Sequence, residues 1–284
     1  YRYDDGDAPV FENLSLRVAE GEIVALMGSN GAGKTTLARL LCALDRPSAG
    51  SITVAGLPVA SSKHGKRPRA LTRKERAALR RNVGYVMQHP ERQLFADTVA
   101  EDVAYGPRNQ HLSELEVATR VEEALRMLHI EHLADRSPFN LSGGQQRLVA
   151  IAGVIAMDPD VLILDEPTAG LDPRGRDVLL SQIVNYHEVR HNTILLVSHS
   201  MEDIARTADR ILVMNGGKAA MFDETKKVFA RGEELERMGL RVPQITKILA
   251  MLQKDGYPVE TALTLEQAIR QLMPLLEEGG RTHG

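Results

Sequence analysis

The chain is poor in residues that staple, stack or span. Its 284 residues include one cysteine and no tryptophan, and only 4% are aromatic. A single thiol excludes any intrachain disulfide and fits a reducing compartment. Cys42 itself reads as a small buried hydrophobe rather than a reactive group. So few aromatics argue against a surface that binds single strands by base stacking. The formal net charge is −3, so no global field draws the chain to nucleic acid or to an anionic membrane. There is no secretory leader and no run of ~18 uncharged apolar residues, so the chain is expected not to cross a membrane itself. It begins at Tyr1 rather than methionine, which reads as a trimmed N-terminus.

What is present suits a globular protein with one large domain and a smaller appendage: 43% apolar and 26% charged residues. Three short apolar runs read as buried parallel strands. They are Ile23 to Met27, Val161 to Leu164, and Thr193 to Val197. None alternates apolar with polar, as a half-exposed strand would. Each runs into chemically loaded residues: a glycine loop, then Asp165-Glu166, then Ser198-His199. Ligands of open α/β sheets sit at the carboxyl ends of strands, so these ends are expected to meet at one site. Helical patterns lie at about 34–43, 113–129, 143–157 and 174–189, which makes the plan α/β.

Residues 61–82 interrupt the pattern with nine cations against the single acid Glu75. The stretch reads either as a phosphate or lipid-headgroup contact or as a solvated surface insertion, and basic runs alone favour the second. Beyond about residue 225 the character changes. Ile245, Ile248, Leu249 and Leu252 recur at helical spacing after Pro243, and Thr264 to Gln267 reads as a capping box opening another helix. Asp255-Gly256 supplies the turn between them.

The stretch Gly28-Ser29-Asn30-Gly31-Ala32-Gly33-Lys34-Thr35 matches G-x-x-x-x-G-K-[ST] at every fixed position. It follows an apolar strand and opens a helix, as the motif requires. Glycines bare the main-chain N–H groups so that they can wrap phosphate oxygens, and the helix start adds positive partial charge. Lys34 reaches the outer phosphates and Thr35 offers a hydroxyl to Mg²⁺. Asp165 and Glu166, at a strand end, suit a water-mediated Mg²⁺ contact and activation of the attacking water. Ser142, with Gly143 and Gly144 behind it, reads as an N-cap or as a second anion-binding helix start.

Here the residues carry a resemblance. The order "GSNGAGKT" (Walker A), "YVMQ" ending at Gln88 (Q-loop), "LSGGQ" at 141–145 (signature), "VLILDE" (Walker B), "AGLD" ending at Asp172 (D-loop) and "LVSH" ending at His199 (switch) is that of ATP-binding-cassette (ABC) transporter ATPases. The likeness spans about residues 1–222. It implies a P-loop NTPase of ABC type: a RecA-like core with an antiparallel β subdomain and a helical subdomain, here at about 90–158. Residues 1–225 are expected to form the ATPase domain and 226–284 a small C-terminal helical dimerisation domain.

By this resemblance, Ser29 to Thr36 bind ATP, and Tyr3 stacks on adenine unless it is only an edge-strand aromatic. Glu166 is the general base, His199 contacts the γ-phosphate, and Gln88 joins Thr35 and Asp165 at Mg²⁺, the last through water. Ser142, Gly143, Gly144 and Gln145 cover the ATP of a partner cassette, and Asp172 links the two sites. The segment "MQHPERQLFADTVAEDVAYGPRN" and the C-terminal tail resemble the energy-coupling factor (ECF) class. That class implies a second, identical or related ATPase, a transmembrane coupling protein and a substrate-binding membrane protein. The cargo would be a vitamin or a cobalt- or nickel-type metal ion. Gln88, Pro90, Glu91, Arg92, Gln93, Leu94 and Phe95 would then dock the coupling protein, unless they only pack the helical subdomain. The chain would sit at the cytoplasmic face of the membrane as a peripheral subunit, without nucleic acid as a partner. The alternatives are a conventional ABC transporter ATPase, or a soluble one acting on nucleic acid or ribosomes. The latter usually carries a long coiled coil or a second cassette, and this sequence has neither.

Overall fold

The computed structural model describes residues 1–2, 8–62 and 68–281, and only the backbone of 277–281. Tyr3 and three cations of the basic stretch, Lys63, Lys66 and Arg67, lie outside the described residues.

The first apolar run is strand β1, Ile23–Gly28, with every residue buried. Helix α1, Lys34–Leu41, opens directly behind the glycine loop. A small antiparallel hairpin follows, β2 (Ser51–Val54) with β3 (Leu57–Ser61). The second half of the basic stretch is then helical, which the sequence reading did not foresee. Helix α2, Arg73–Asn82, starts on a Thr72–Glu75 capping box, buries Leu79 and feeds into strand β4, Val83–Val86. Its cations Arg73, Lys74, Arg76, Arg80 and Arg81 are exposed, as a solvated surface requires.

Three helices form the helical part: α3 (Val99–Asn109), α4 (Glu114–Met127) and α5 (Gly143–Ile155). Helix α3 escaped the periodicity reading because Gly106-Pro107 interrupts its pattern. Thr98 nevertheless caps it by accepting a hydrogen bond from the Glu101 N–H. The chain continues through β5 (Val161–Asp165), α6 (Pro173–Arg190), β6 (Thr193–Val197), α7 (Met201–Thr207), β7 (Arg210–Asn215) and β8 (Lys218–Glu224). Last come α8 (Thr225–Ala230), α9 (Gly232–Arg237), α10 (Gln244–Lys254) and α11 (Leu265–Arg281).

The main sheet runs β4-β5-β6-β1-β7-β8, parallel throughout except for the antiparallel edge β8. Both faces are covered, which explains why the strands read as unbroken apolar runs. Leu162, Leu164, Ile194 and Leu196 point into the core shared with the helical part. Ile163, Leu195 and Val197 point the opposite way, toward Leu37 and Leu40 of α1. Each such side chain contributes about 1.5–3 kcal/mol by leaving water.

Val228 and Phe229 of α8 and Leu235 of α9 pack in a third cluster with Ala25, Met27, Ile211 and Val213. By contrast, α10 and α11 build a small core of their own from Leu249, Val259, Ala262 and Ala268. The Thr246 hydroxyl donates to the Ala262 carbonyl at 2.6 Å inside it. Ion pairs Lys247–Glu236 (2.8 Å) and Lys226–Glu260 (2.9 Å) tie this pair of helices to α8 and α9. Among the described residues, no helix is long and apolar enough to cross a membrane.

Candidate functional site

Four neighbouring strands deliver the site. The carboxyl ends of β4, β5, β6 and β1 lie side by side and carry Gln88, Asp165-Glu166, His199 and the glycine loop in turn. A cleft of about 480 Å³ is lined by Asn30, Gly31, Gly33, Lys34, Thr35, Thr36, Gln88, Asp165, Glu166 and His199, with Val10 and Val197. The strand ends expected to converge therefore do so, although Ser29 and Ala32 of the loop are not among the residues lining the cleft.

The loop glycines have mechanical reasons. A Cβ on Gly28 would sit 2.4 Å from the Met214 carbonyl oxygen of β7, so only glycine lets the two strands pair there. Gly33 has φ +95°, and a side chain on it would press on Val10 and Phe11 at 3.0 Å. Behind it, the Lys34 amine folds back and donates to the carbonyls of Gly28 (2.8 Å) and Ser29 (3.0 Å). The lysine thus braces the loop and holds its charge at the loop's centre. Burial pulls its pKa down, against the opposing pull of Glu166 and Asp165.

At the end of β5, Asp165 is fully buried and its carboxylate is raised by that burial. Hydrogen bonds from Thr35 and from Tyr85, whose hydroxyl lies at 3.3 Å, together with Lys34, work the other way. Tyr85 sits on β4 and was not foreseen; it reads in sequence as one more apolar strand residue. Glu166 follows with φ +53°, a left-handed backbone that a long side chain seldom adopts. Its N–H is held by the Val197 carbonyl at 2.9 Å, so strand pairing turns the side chain into the cleft. Burial pushes its carboxyl up to about 7; the His199 main-chain N–H opposes this and the Asp165 charge adds to it. The His199 Nε2 lies 3.1 Å from Glu166 Oε1. Burial and Lys34 lower the His199 pKa while Asp165 raises it, the net shift being downward.

The signature turn stands elsewhere. Ser142 caps α5 in a reciprocal box with Gln145: Ser142 Oγ accepts from Gln145 N–H at 3.3 Å, and Gln145 Oε1 from Ser142 N–H at 3.1 Å. None of Ser142, Gly143, Gly144 and Gln145 lines the cleft. Gly143 is exposed, and a Cβ built on it would meet nothing within 4 Å. Asp172 caps α6, accepting from Gly175 N–H at 2.8 Å. The loop before it is anchored by buried Asp203, which binds Thr168 (2.9 Å) and Arg176 (3.0 Å).

The docking segment divides. Pro90 and Leu94 are buried, so they shape the turn rather than present surface. Arg92, Gln93 and Phe95 are exposed, and Phe95 meets Tyr105 edge-on with ring centres 4.9 Å apart. Glu91 turns inward to the buried Arg147, at 3.4 Å. Neither Tyr105 nor Arg147 was singled out from the sequence, where both read as ordinary helix residues.

A glycine loop on a parallel sheet, a buried Asp-Glu pair beside it and a separate capped Gly-Gly turn together define a P-loop ATPase built as a cassette. Residues 11–169 match the ABC transporter family, and the chain belongs to that family. It is 51% identical to the putative ABC transporter ATP-binding protein BL0043 of Bifidobacterium longum, over 95% of this chain and 36% of that protein; the chain spans only about a third of that relative. It is 44% identical to the energy-coupling factor transporter ATP-binding protein EcfA2 of Clostridium perfringens, over 93% of this chain and 90% of that one. The structure of cbiO1 from Clostridium perfringens, part of the ABC transporter complex cbiONQ, superimposes with a TM-score of 0.72 at 36% identity, covering 89% of this chain and 95% of that one. The dimeric ATP-binding cassette MJ0796 with ADP and Pi gives a TM-score of 0.68 at 25% identity, covering 79% and 94%. Within the ABC family the chain is an ATPase subunit of the ECF importer type.

Proposed function

We propose that this ATPase hydrolyses ATP at sites shared between two cassettes and that Glu166 is the general base. The observation that carries this reading is the Glu166 carboxyl. It lies in the cleft beside the phosphate loop with its pKa pushed up to about 7, where a group exchanges protons most effectively near neutral pH. The backbone turn at Glu166 and its bond to Val197 hold the carboxylate in place. His199, with its pKa lowered and half exposed at the rim, contacts the γ-phosphate as a neutral donor.

Ser29 to Thr36 wrap the phosphates of one ATP. The signature turn of the partner cassette roofs the same ATP, an arrangement supported by the exposure of Gly143 and by the absence of Ser142–Gln145 from the lining of the chain's own cleft. Asp172, at the head of α6, links the two sites. Thr35, Gln88 and Asp165 form an all-oxygen donor set on the cleft wall, and such a set fits Mg²⁺. The ion would neutralise charge developing on the phosphates. Bringing in a second helix start excludes water and strengthens these electrostatic contacts, so ATP becomes part of the interface until hydrolysis removes it.

The membrane partners of the ECF class, a coupling protein and a substrate-binding protein, complete the assembly at the cytoplasmic face, and the cargo is a vitamin or a transition-metal ion. The exposed Arg92, Gln93 and Phe95 offer the docking contact. Residues 226–284 add a pairing surface, supported by the exposed row Leu265, Ile269, Met273 and Leu276 along α11. Glu166→Gln tests the base: turnover should be abolished with ATP affinity retained, and normal hydrolysis by this variant would refute the assignment.

A further inference from the structure

Arg147 stands one turn inside α5, on the same helix face as Gly143 of the signature turn. Its guanidinium is buried, with only 7% of the side chain exposed. Its two terminal nitrogens serve different segments. Nη1 donates to the Pro167 carbonyl at 3.4 Å and to the Ala169 carbonyl, both on the stretch that leaves Glu166 for Asp172. Nη2 reaches the Gln88 carbonyl and the Glu91 carboxylate, each at 3.4 Å, on the turn that follows β4. A buried cation is tolerated only when paired and hydrogen-bonded, and this one takes all its visible partners from these two segments. A planar fork with divergent donors can hold both at once; the single ammonium of lysine can hold one.

We propose that Arg147 is a positioning residue of the ATPase reaction, tying the Gln88–Glu91 turn to the Pro167–Ala169 main chain so that a displacement of one moves the other. The turn carrying Gln88 and the exposed docking residues is thereby mechanically joined to the loop carrying Glu166. Because Arg147 rides on the signature helix, the same link reaches the turn that covers the partner's ATP. The inference rests on the reading of Glu166 as base and Gln88 as a Mg²⁺ ligand. It adds that these groups are placed by one shared cation rather than separately.

The test uses the full chain and the variants Arg147→Lys, Glu91→Gln and their combination, with Glu166→Gln as reference. Arg147→Lys should keep its affinity for a fluorescent ATP analogue and its KM within about threefold, while kcat falls about tenfold or more through misplacement of the reacting groups. Half-saturating Mg²⁺ should rise severalfold. Glu91→Gln should shift kcat and Mg²⁺ dependence in the same direction by less, and the double variant should be no worse than Arg147→Lys alone. The readout apart from activity is hydrogen exchange at the amides of 167–171. It should quicken in Glu91→Gln, although the side-chain partners of Glu91 are His89 and Arg147 rather than any of those residues. Should Arg147→Lys fail to fold, Glu91→Gln decides alone. The proposal is overturned if Glu91→Gln leaves exchange at 167–171 as in the wild type. It is equally overturned if the variants lose Tm and kcat in proportion with Mg²⁺ dependence unmoved, which is what a structural role alone would give. Turnover retained in Glu166→Gln would instead sink the base assignment, and so separates the two failures.

Discussion

Replacing Glu166 by glutamine should stabilise the nucleotide-free protein, by an amount that grows with pH. The carboxyl titrates at about 7 in the folded chain against an ordinary 4.5. Between those values the folded state holds a proton that the unfolded state has released, so wild-type stability falls as pH rises, and the loss is complete above about pH 7. The difference, 7 − 4.5 = 2.5 pH units, corresponds to about 3 kcal/mol. Glutamine has the same shape and no charge, so the variant escapes this loss. Thermal unfolding without nucleotide should therefore show Glu166→Gln ahead by about 3 kcal/mol at pH 8, roughly 6–12 °C in Tm for a chain of this size. The gap should close toward pH 5. A gap that stays flat from pH 5 to pH 8, or a wild type more stable at pH 8, would refute the claim that burial of this carboxyl sets its proton affinity.

The same titration governs the rate: with a base that ionises near 7 in the nucleotide-free chain, kcat/KM at pH 6 should be about a tenth of that at pH 8, and a profile flat across this range would count against Glu166. Gly28→Ala should destabilise the fold by about 1–3 kcal/mol and weaken ATP binding, because its methyl meets the Met214 carbonyl at 2.4 Å; calorimetry and nucleotide titration check both effects. Phe95→Ala should change stability by less than about 1 kcal/mol, since the ring is exposed, yet lose co-purification with the membrane partner. Undiminished co-purification would remove Phe95 from the docking surface.

What the sequence disclosed depended on how local each signal was. The phosphate loop was legible because its glycines, its lysine and the strand before it are contiguous. Asp165 and Glu166 were legible because a buried strand runs directly into them. The parallel core could be read from unbroken apolar runs, since both faces of β5 and β6 are covered. Gln88 was placed only by resemblance, because β4 is only four residues long and Gly84 interrupts its apolar run. Helix α2 was hidden under its charge and α3 under Gly106-Pro107, although each carries a threonine cap that marks its start. Arg147 and Asp203 could not be found at all, because their partners lie 20 to 59 and 27 to 35 residues away in the chain. Within the segment proposed for docking, the sequence pattern did not reveal that Pro90 and Leu94 face inward.

In the proposed cycle each ATP is held by one chain's phosphate loop and covered by the partner's signature turn. A structure of Glu166→Gln loaded with ATP tests this most directly. Two ATP molecules should lie between two chains, each between Gly28–Thr36 of one protomer and Ser142–Gln145 of its partner. ATP bound in a monomer with Ser142–Gln145 facing solvent, under conditions where the wild type hydrolyses at full rate, would contradict it.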